Sequence, residues 1–208
     1  MMETGALIGT LELRAGGGRG RRLRGRFPYG SRAIISDGGR TGRPKKEAFA
    51  SRAFAYRVND PKAEIHLLLG HDYDRPLASK LTGGLVLRDS AEALVFDAEV
   101  ALEIAETSYF RDFFAGFTAG LVVGLSPGFR IPPPAAVPPD QAERVEEEDP
   151  AEGRAIIRTI LQALLFEISL VTAPAYPETE VEARTAARAA ALATARQRAH
   201  EHLRRWRP

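Results

Sequence analysis

A serine, a histidine and a glutamate stand in three well-separated segments, and together they are the residue types needed for acyl transfer. Ser126 lies in Gly124-Leu-Ser-Pro-Gly-Phe129, His71 follows the apolar run Leu67-Leu-Leu-Gly70, and Glu167 lies in Leu165-Phe-Glu-Ile-Ser-Leu-Val-Thr172. A hydroxyl is a poor nucleophile until a base removes its proton during attack; imidazole is the usual base, and a carboxylate orients the imidazole and stabilises its charge. The 208 residues contain no cysteine. A thiol nucleophile, a disulfide framework and a thiolate metal site are therefore excluded. The four histidines show no metal-ligand spacing such as H-E-x-x-H, so no metal or organic cofactor is expected.

These residues must be carried by strands. Side chains alternate along a strand with period two. Continuing that phase through Ala63 to His71 puts Ile65, Leu67, Leu69 and His71 on one face and Glu64, His66 and Leu68 on the other. His71 is then expected inward and His66 at the surface. In the last segment Phe166, Ile168 and Leu170 alternate with Glu167, Ser169 and Val171. By pattern alone Glu167 reads as an exposed strand glutamate; the alternative is a carboxylate that orients an imidazole across the sheet. Asp72, Asp74 or a second histidine are further candidates for that orienting role.

Strands are predicted over 21–29, 63–71, 77–87, 91–100, 121–130, 154–164 and 166–171. Phe110, Phe113, Phe114, Phe117 and Leu121 follow a helical spacing, which predicts one helix over about 101–119 with an aromatic face on the sheet. A second helix is predicted from Glu178 to about Arg205, with little but alanine to bury. The fold class is α+β. Residues 1–20 read as a flexible basic arm, 21–181 as the main domain, 131–153 as an acidic, proline-rich, solvated insertion loop within it, and 182–208 as a basic helical tail.

The net charge of +2 conceals this segregation of arginines to the ends and carboxylates to the insertion. The arginine clusters carry no repeated aromatic interleaving and no nucleic-acid motif is present, so nucleic acid is not the expected partner. The first residues lack the basic and apolar regions of a signal peptide, and no run approaches the length of a membrane span. The chain is expected to be soluble and intracellular.

Gly124-Leu-Ser-Pro-Gly128 satisfies the G-x-S-x-G pattern of the α/β-hydrolase elbow, but that reading fails on context. The elbow uses the backbone N–H of the residue after the serine, and Pro127 has none. The segment that follows is proline-rich rather than helical.

Taken in order, Leu69-Gly-His-Asp-Tyr-Asp-Arg-Pro-Leu-Ala78, Gly124-Leu-Ser-Pro-Gly-Phe129 and Phe166-Glu-Ile-Ser-Leu-Val-Thr-Ala-Pro-Ala175 resemble the tailed-phage prohead maturation proteases, which are similar to the herpesvirus assemblins. The resemblance spans about residues 21–181. It implies a mostly antiparallel β-barrel with flanking helices and a serine endopeptidase with Ser126 as nucleophile, His71 as base and Glu167 as third member. It further implies that the substrates are scaffold or the scaffold-like region of the capsid protein, and the enzyme itself. The setting would be the procapsid in the bacterial host cytoplasm, where the protein assembles with copies of itself. Pro127 departs from the family pattern, so oxyanion donors must come from another segment. The competing reading is a catalytically silent assembly protein of the same fold that binds scaffold or nucleic acid through its arginine-rich ends.

Overall fold

The computed structural model describes residues 3–4, 10–15, 21–122 and 124–172, the first two stretches as backbone strands. In chain order the elements are β1 (Glu3–Thr4), β2 (Thr10–Ala15), β3 (Arg21–Pro28), β4 (Ala33–Ser36), β5 (Lys45–Phe49), α1 (Ala55–Asn59), β6 (His66–Leu69), β7 (Asp72–Ser79), β8 (Leu85–Asp89), β9 (Ala93–Val100), α2 (Leu102–Ala105), α3 (Ser108–Thr118), β10 (Gly124–Arg130), α4 (Pro139–Ala142), β11 (Glu143–Glu147), β12 (Ile156–Ile160) and β13 (Leu164–Val171). The expected strand-rich character and mainly antiparallel pairing are present. The strands of the described residues form three open sheets, ordered β1-β10-β13-β6-β7, β11-β12-β5-β4 and β2-β3-β9-β8, and not one closed barrel. Two pairings are parallel, β13 with β6 and β12 with β5.

One aromatic core joins the three sheets. Phe27 of β3, Phe49 of β5 and Phe129 of β10 come from different sheets, and Phe54, just before α1, fills the space among them. Their ring centroids are 5.5 Å (Phe27–Phe49), 5.0 Å (Phe49–Phe54) and 5.1 Å (Phe49–Phe129) apart. All four are at most 2 % exposed. Each such side chain contributes about 1.5–3 kcal/mol by burial, with edge-to-face ring contacts adding to it. Alternation places them: in β3, Leu23, Gly25 and Phe27 point inward while the arginines between them stay in solvent.

Several boundaries differ from the sequence expectation. The predicted 77–87 strand is broken into β7 and β8 by a turn that uses Gly83 at φ +80°. The predicted 101–119 helix is two helices, because the Thr107 side chain caps the second one by accepting the Phe110 N–H at 3.3 Å. Phe110 and Phe113 are buried as expected, whereas Leu121 lies beyond the helix end and is 65 % exposed. Residues 10–15 of the expected arm pair with β3 as strand β2. The insertion at 131–153 is not only a solvated loop, since β11 pairs antiparallel with β12. Arg158 of β12 holds that edge by pairing with Glu143 at 2.6 Å and with the buried Glu47 of β5 at 3.3 Å. Glu148, also buried, pairs with Lys46. The helix expected from Glu178 and the tail at 182–208 lie outside the described residues.

Tyr29, next to the aromatic core, donates its hydroxyl proton to Asp89 Oδ1, while Asp89 Oδ2 is buried with no hydrogen-bond partner among the described residues. Burial pushes the Tyr29 phenol well above its usual range, and the Asp89 bond and charge push it further. Burial also raises Asp89, against the opposing effect of the Tyr29 bond. A phenol raised in the folded state contributes stability that is fully present below its unfolded pKa near 10 and is lost as pH rises above it. Tyr29→Phe is expected to lower the unfolding free energy by about 1–3 kcal/mol at neutral pH. The wild-type advantage should shrink above about pH 10. Urea denaturation at both pH values checks this, and equal midpoints at neutral pH would refute it.

Candidate active site

The site is built on the first sheet, where β13 lies between β10 and β6. Glu167 is fully buried on β13, so the exposed-strand reading is corrected. The physical reason is that β13 is covered on both faces. Ile168 and Leu170 face the apolar side with Phe166, which is flanked by the guanidinium groups of Arg57 at 4.2 Å and Arg130 at 5.1 Å. Glu167 and Ser169, on the opposite side, are 0 % exposed. A carboxylate is accommodated there because its neighbour across the ladder is Gly128. A β-carbon at Gly128 would come 1.8 Å from Glu167 Oε1, so the absence of a side chain provides the carboxylate's space.

Both oxygens of Glu167 have partners. Oε1 lies 2.7 Å from His71 Nδ1, and Oε2 accepts the Ser169 hydroxyl proton at 2.7 Å. An ionised carboxylate can only accept, so Nδ1 carries the proton of the first bond and Nε2 is left as the basic nitrogen.

His71 does not reach this position by strand phase. β6 ends at Leu69, and Gly70 and His71 form a two-residue hairpin turn to β7 with φ of +61° and +63°. Positive φ at both positions is the signature of the turn type that matches strand twist, with glycine at the first position and histidine tolerated at the second. The turn resets the alternation, which corrects the expectation that His71 continues the inward face of the strand. It is fastened to β13 twice: Gly70 N–H donates to the Leu170 carbonyl at 3.0 Å, and His71 N–H donates to Ser169 Oγ at 2.9 Å.

Ser126 is 1 % exposed on β10, paired in register with Ser169 and two residues from Gly128. It shares with His71 a cleft of about 1260 Å³. The cleft is also lined by Tyr109, Asp112 and Phe113 of α3 and by Ile34, Ile35 and Leu121, three aliphatic side chains left exposed. Pro127 lies opposite Ile168, so the residue after the serine supplies no N–H.

The other candidates make different contacts, although Asp72 and Asp74 also line the cleft. His66 is half-buried, not a surface residue, and its ring packs edge-on against Tyr73 at 5.7 Å; it is the ladder neighbour of Glu167, whose oxygens are both taken. Asp72 is ion-paired with Arg75 at 3.1 Å and accepts the Asp74 N–H. Among the described residues no group of three or more His, Asp or Glu could hold a metal ion, and no helix is long and apolar enough to cross a membrane. Two residues that shape the site, Ser169 and Gly128, were not singled out as site residues in the sequence. The available signal for Ser169 is its i, i+2 spacing from Glu167; Gly128 has none without the strand register.

No curated protein and no solved structure matches the chain. A family model described as caudovirus prohead serine protease matches residues 38–193, which takes in His71, Ser126 and Glu167 and well over half of the sequence. With the three motifs in order and an imidazole–carboxylate pair in a cleft shared with a serine, this match shows that the chain belongs to the caudovirus prohead serine protease family, the peptidases of phage capsid maturation.

Proposed function

We propose that this protein is the endopeptidase that cuts scaffold, or the scaffold-like region of the capsid protein, inside the procapsid, and that it also cuts itself. In this reading Ser126 Oγ attacks the scissile carbonyl carbon while His71 Nε2 takes its proton. The C–N bond then breaks, His71 returns the proton to the departing amine, and water releases the acyl group by the same steps in reverse. Glu167 holds the tautomer that makes Nε2 the base and stabilises the imidazolium. Oxyanion donors come from a segment other than residue 127.

The observation that carries the reading is the 2.7 Å Nδ1–Oε1 bond of His71 to a fully buried carboxylate, in a cleft that also holds Ser126. The exposed aliphatic residues of that cleft suit the side chains of a peptide substrate. The catalytically silent reading offers no reason for a buried carboxylate aimed at a half-exposed imidazole.

Labelling with a fluorophosphonate, followed by peptide mass mapping, tests the assignment. The adduct is expected on Ser126 of the wild type, absent in His71→Ala and near normal in His66→Ala. An adduct on another serine, or full labelling of His71→Ala, would remove the proposed mechanism.

A further inference from the structure

We propose that Ser169 is a positioning residue of this site, one hydroxyl that sets both ends of the His71–Glu167 hydrogen bond. The inference rests on the reading of that pair as the working base. Ser169 is 0 % exposed and lies two residues after Glu167 on the same face of β13. Its Oγ accepts the His71 backbone N–H at 2.9 Å and donates to Glu167 Oε2 at 2.7 Å.

The direction of the hydroxyl is determined by its neighbours. A backbone N–H can only donate, so Ser169 receives it on a lone pair. Its single proton is then directed to Glu167 Oε2, which must be unprotonated to accept it. A proton on Oε2 would oppose the hydroxyl proton. Ser169 therefore occupies Oε2 and leaves Oε1 as the oxygen turned to His71 Nδ1.

The same side chain restrains the other partner. His71 sits at φ +63°, a conformation uncommon for a non-glycine residue, and the N–H to Ser169 Oγ holds that turn against β13. Without the hydroxyl the turn keeps only its Gly70 N–H bond to the backbone of β13, and the carboxylate loses the partner that holds its second oxygen.

The test uses the full chain and proton NMR, with the His71 Nδ1 proton identified by its absence in His71→Ala. Wild type is expected to show this proton far downfield and slow to exchange. Ser169→Ala, and Ser169→Cys, which keeps the shape but bonds weakly, are expected to lose it or shift it upfield. Fluorophosphonate labelling of Ser126 should slow by about ten- to a hundredfold, the effect of losing one hydrogen bond to a charged group. Ser169→Thr, which keeps the hydroxyl, should restore the signal and much of the rate. An unchanged downfield proton with labelling within about twofold of wild type in Ser169→Cys would overturn the proposal, even if Ser169→Ala misfolds. Failure of the protease reading has a different signature: wild type would leave Ser126 unlabelled, while the NMR comparison would still decide whether Ser169 holds the pair.

Discussion

Ser126→Ala is expected to leave a folded protein whose cleavage of capsid or scaffold protein is lower by about four orders of magnitude or more. The substitution leaves the strand pairing intact. Ser126 is in the interior of β10 and its pairing with Ser169 is made by backbone, so the ladder survives. Removal of one oxygen from a 1 % exposed position forfeits about 1 kcal/mol of hydrogen bonding. The chemistry has no substitute, because no thiol is present and a methyl group cannot form an acyl-enzyme. Thermal melting and the rate of substrate cleavage measure the two sides. Near wild-type turnover in a folded variant would place the nucleophile elsewhere.

Gly128→Ala is expected to be nearly as damaging, although position 128 has no side chain to lose. The new methyl would lie 1.8 Å from Glu167 Oε1 and 2.6 Å from Cδ. The backbone has little room to yield, because β10 is hydrogen-bonded to β1 on one side and β13 on the other, with a register shift directly after Gly128. The carboxylate must rotate away, which breaks both the His71 and the Ser169 bonds and leaves a buried charge without partners. An uncompensated buried charge costs about 3–5 kcal/mol, and turnover falls to the level of a variant that lacks the carboxylate. Shortening the acid should relieve the collision, so Gly128→Ala combined with Glu167→Asp is expected to be more stable than Gly128→Ala alone. Urea denaturation of the three proteins, with cleavage assays alongside, is decisive. A Gly128→Ala variant with wild-type stability and rate would show that the close approach does not constrain the site.

The information legible along the chain was local in character. Leu23, Gly25 and Phe27 alternate with arginines and so specify β3; the phenylalanines at helical spacing specify α3; and the three ordered motifs identify the family and the candidates Ser126, His71 and Glu167. Period and motif depend on residues a few positions apart. The strands without that signal, β5 in Lys-Lys-Glu-Ala-Phe and the acidic β11, were not legible, because their pairing is stabilised from outside by β12 and by Arg158 between two glutamates.

Tertiary structure alone decided the state of the site. Glu167 looked solvent-facing because alternation reports which side of a strand a residue takes, not whether that side is covered. The His71 turn lies against that side, and the space for the carboxylate comes from Gly128 across the ladder. His71 looked like the end of a strand because periodicity cannot register a turn that reverses φ, and its ring meets the carboxylate across 96 residues of chain. The chemistry proposed for Ser126, His71 and Glu167 follows from side-chain type and is written in the sequence; burial and alignment follow from strand register, which is set only when the strands pair around them.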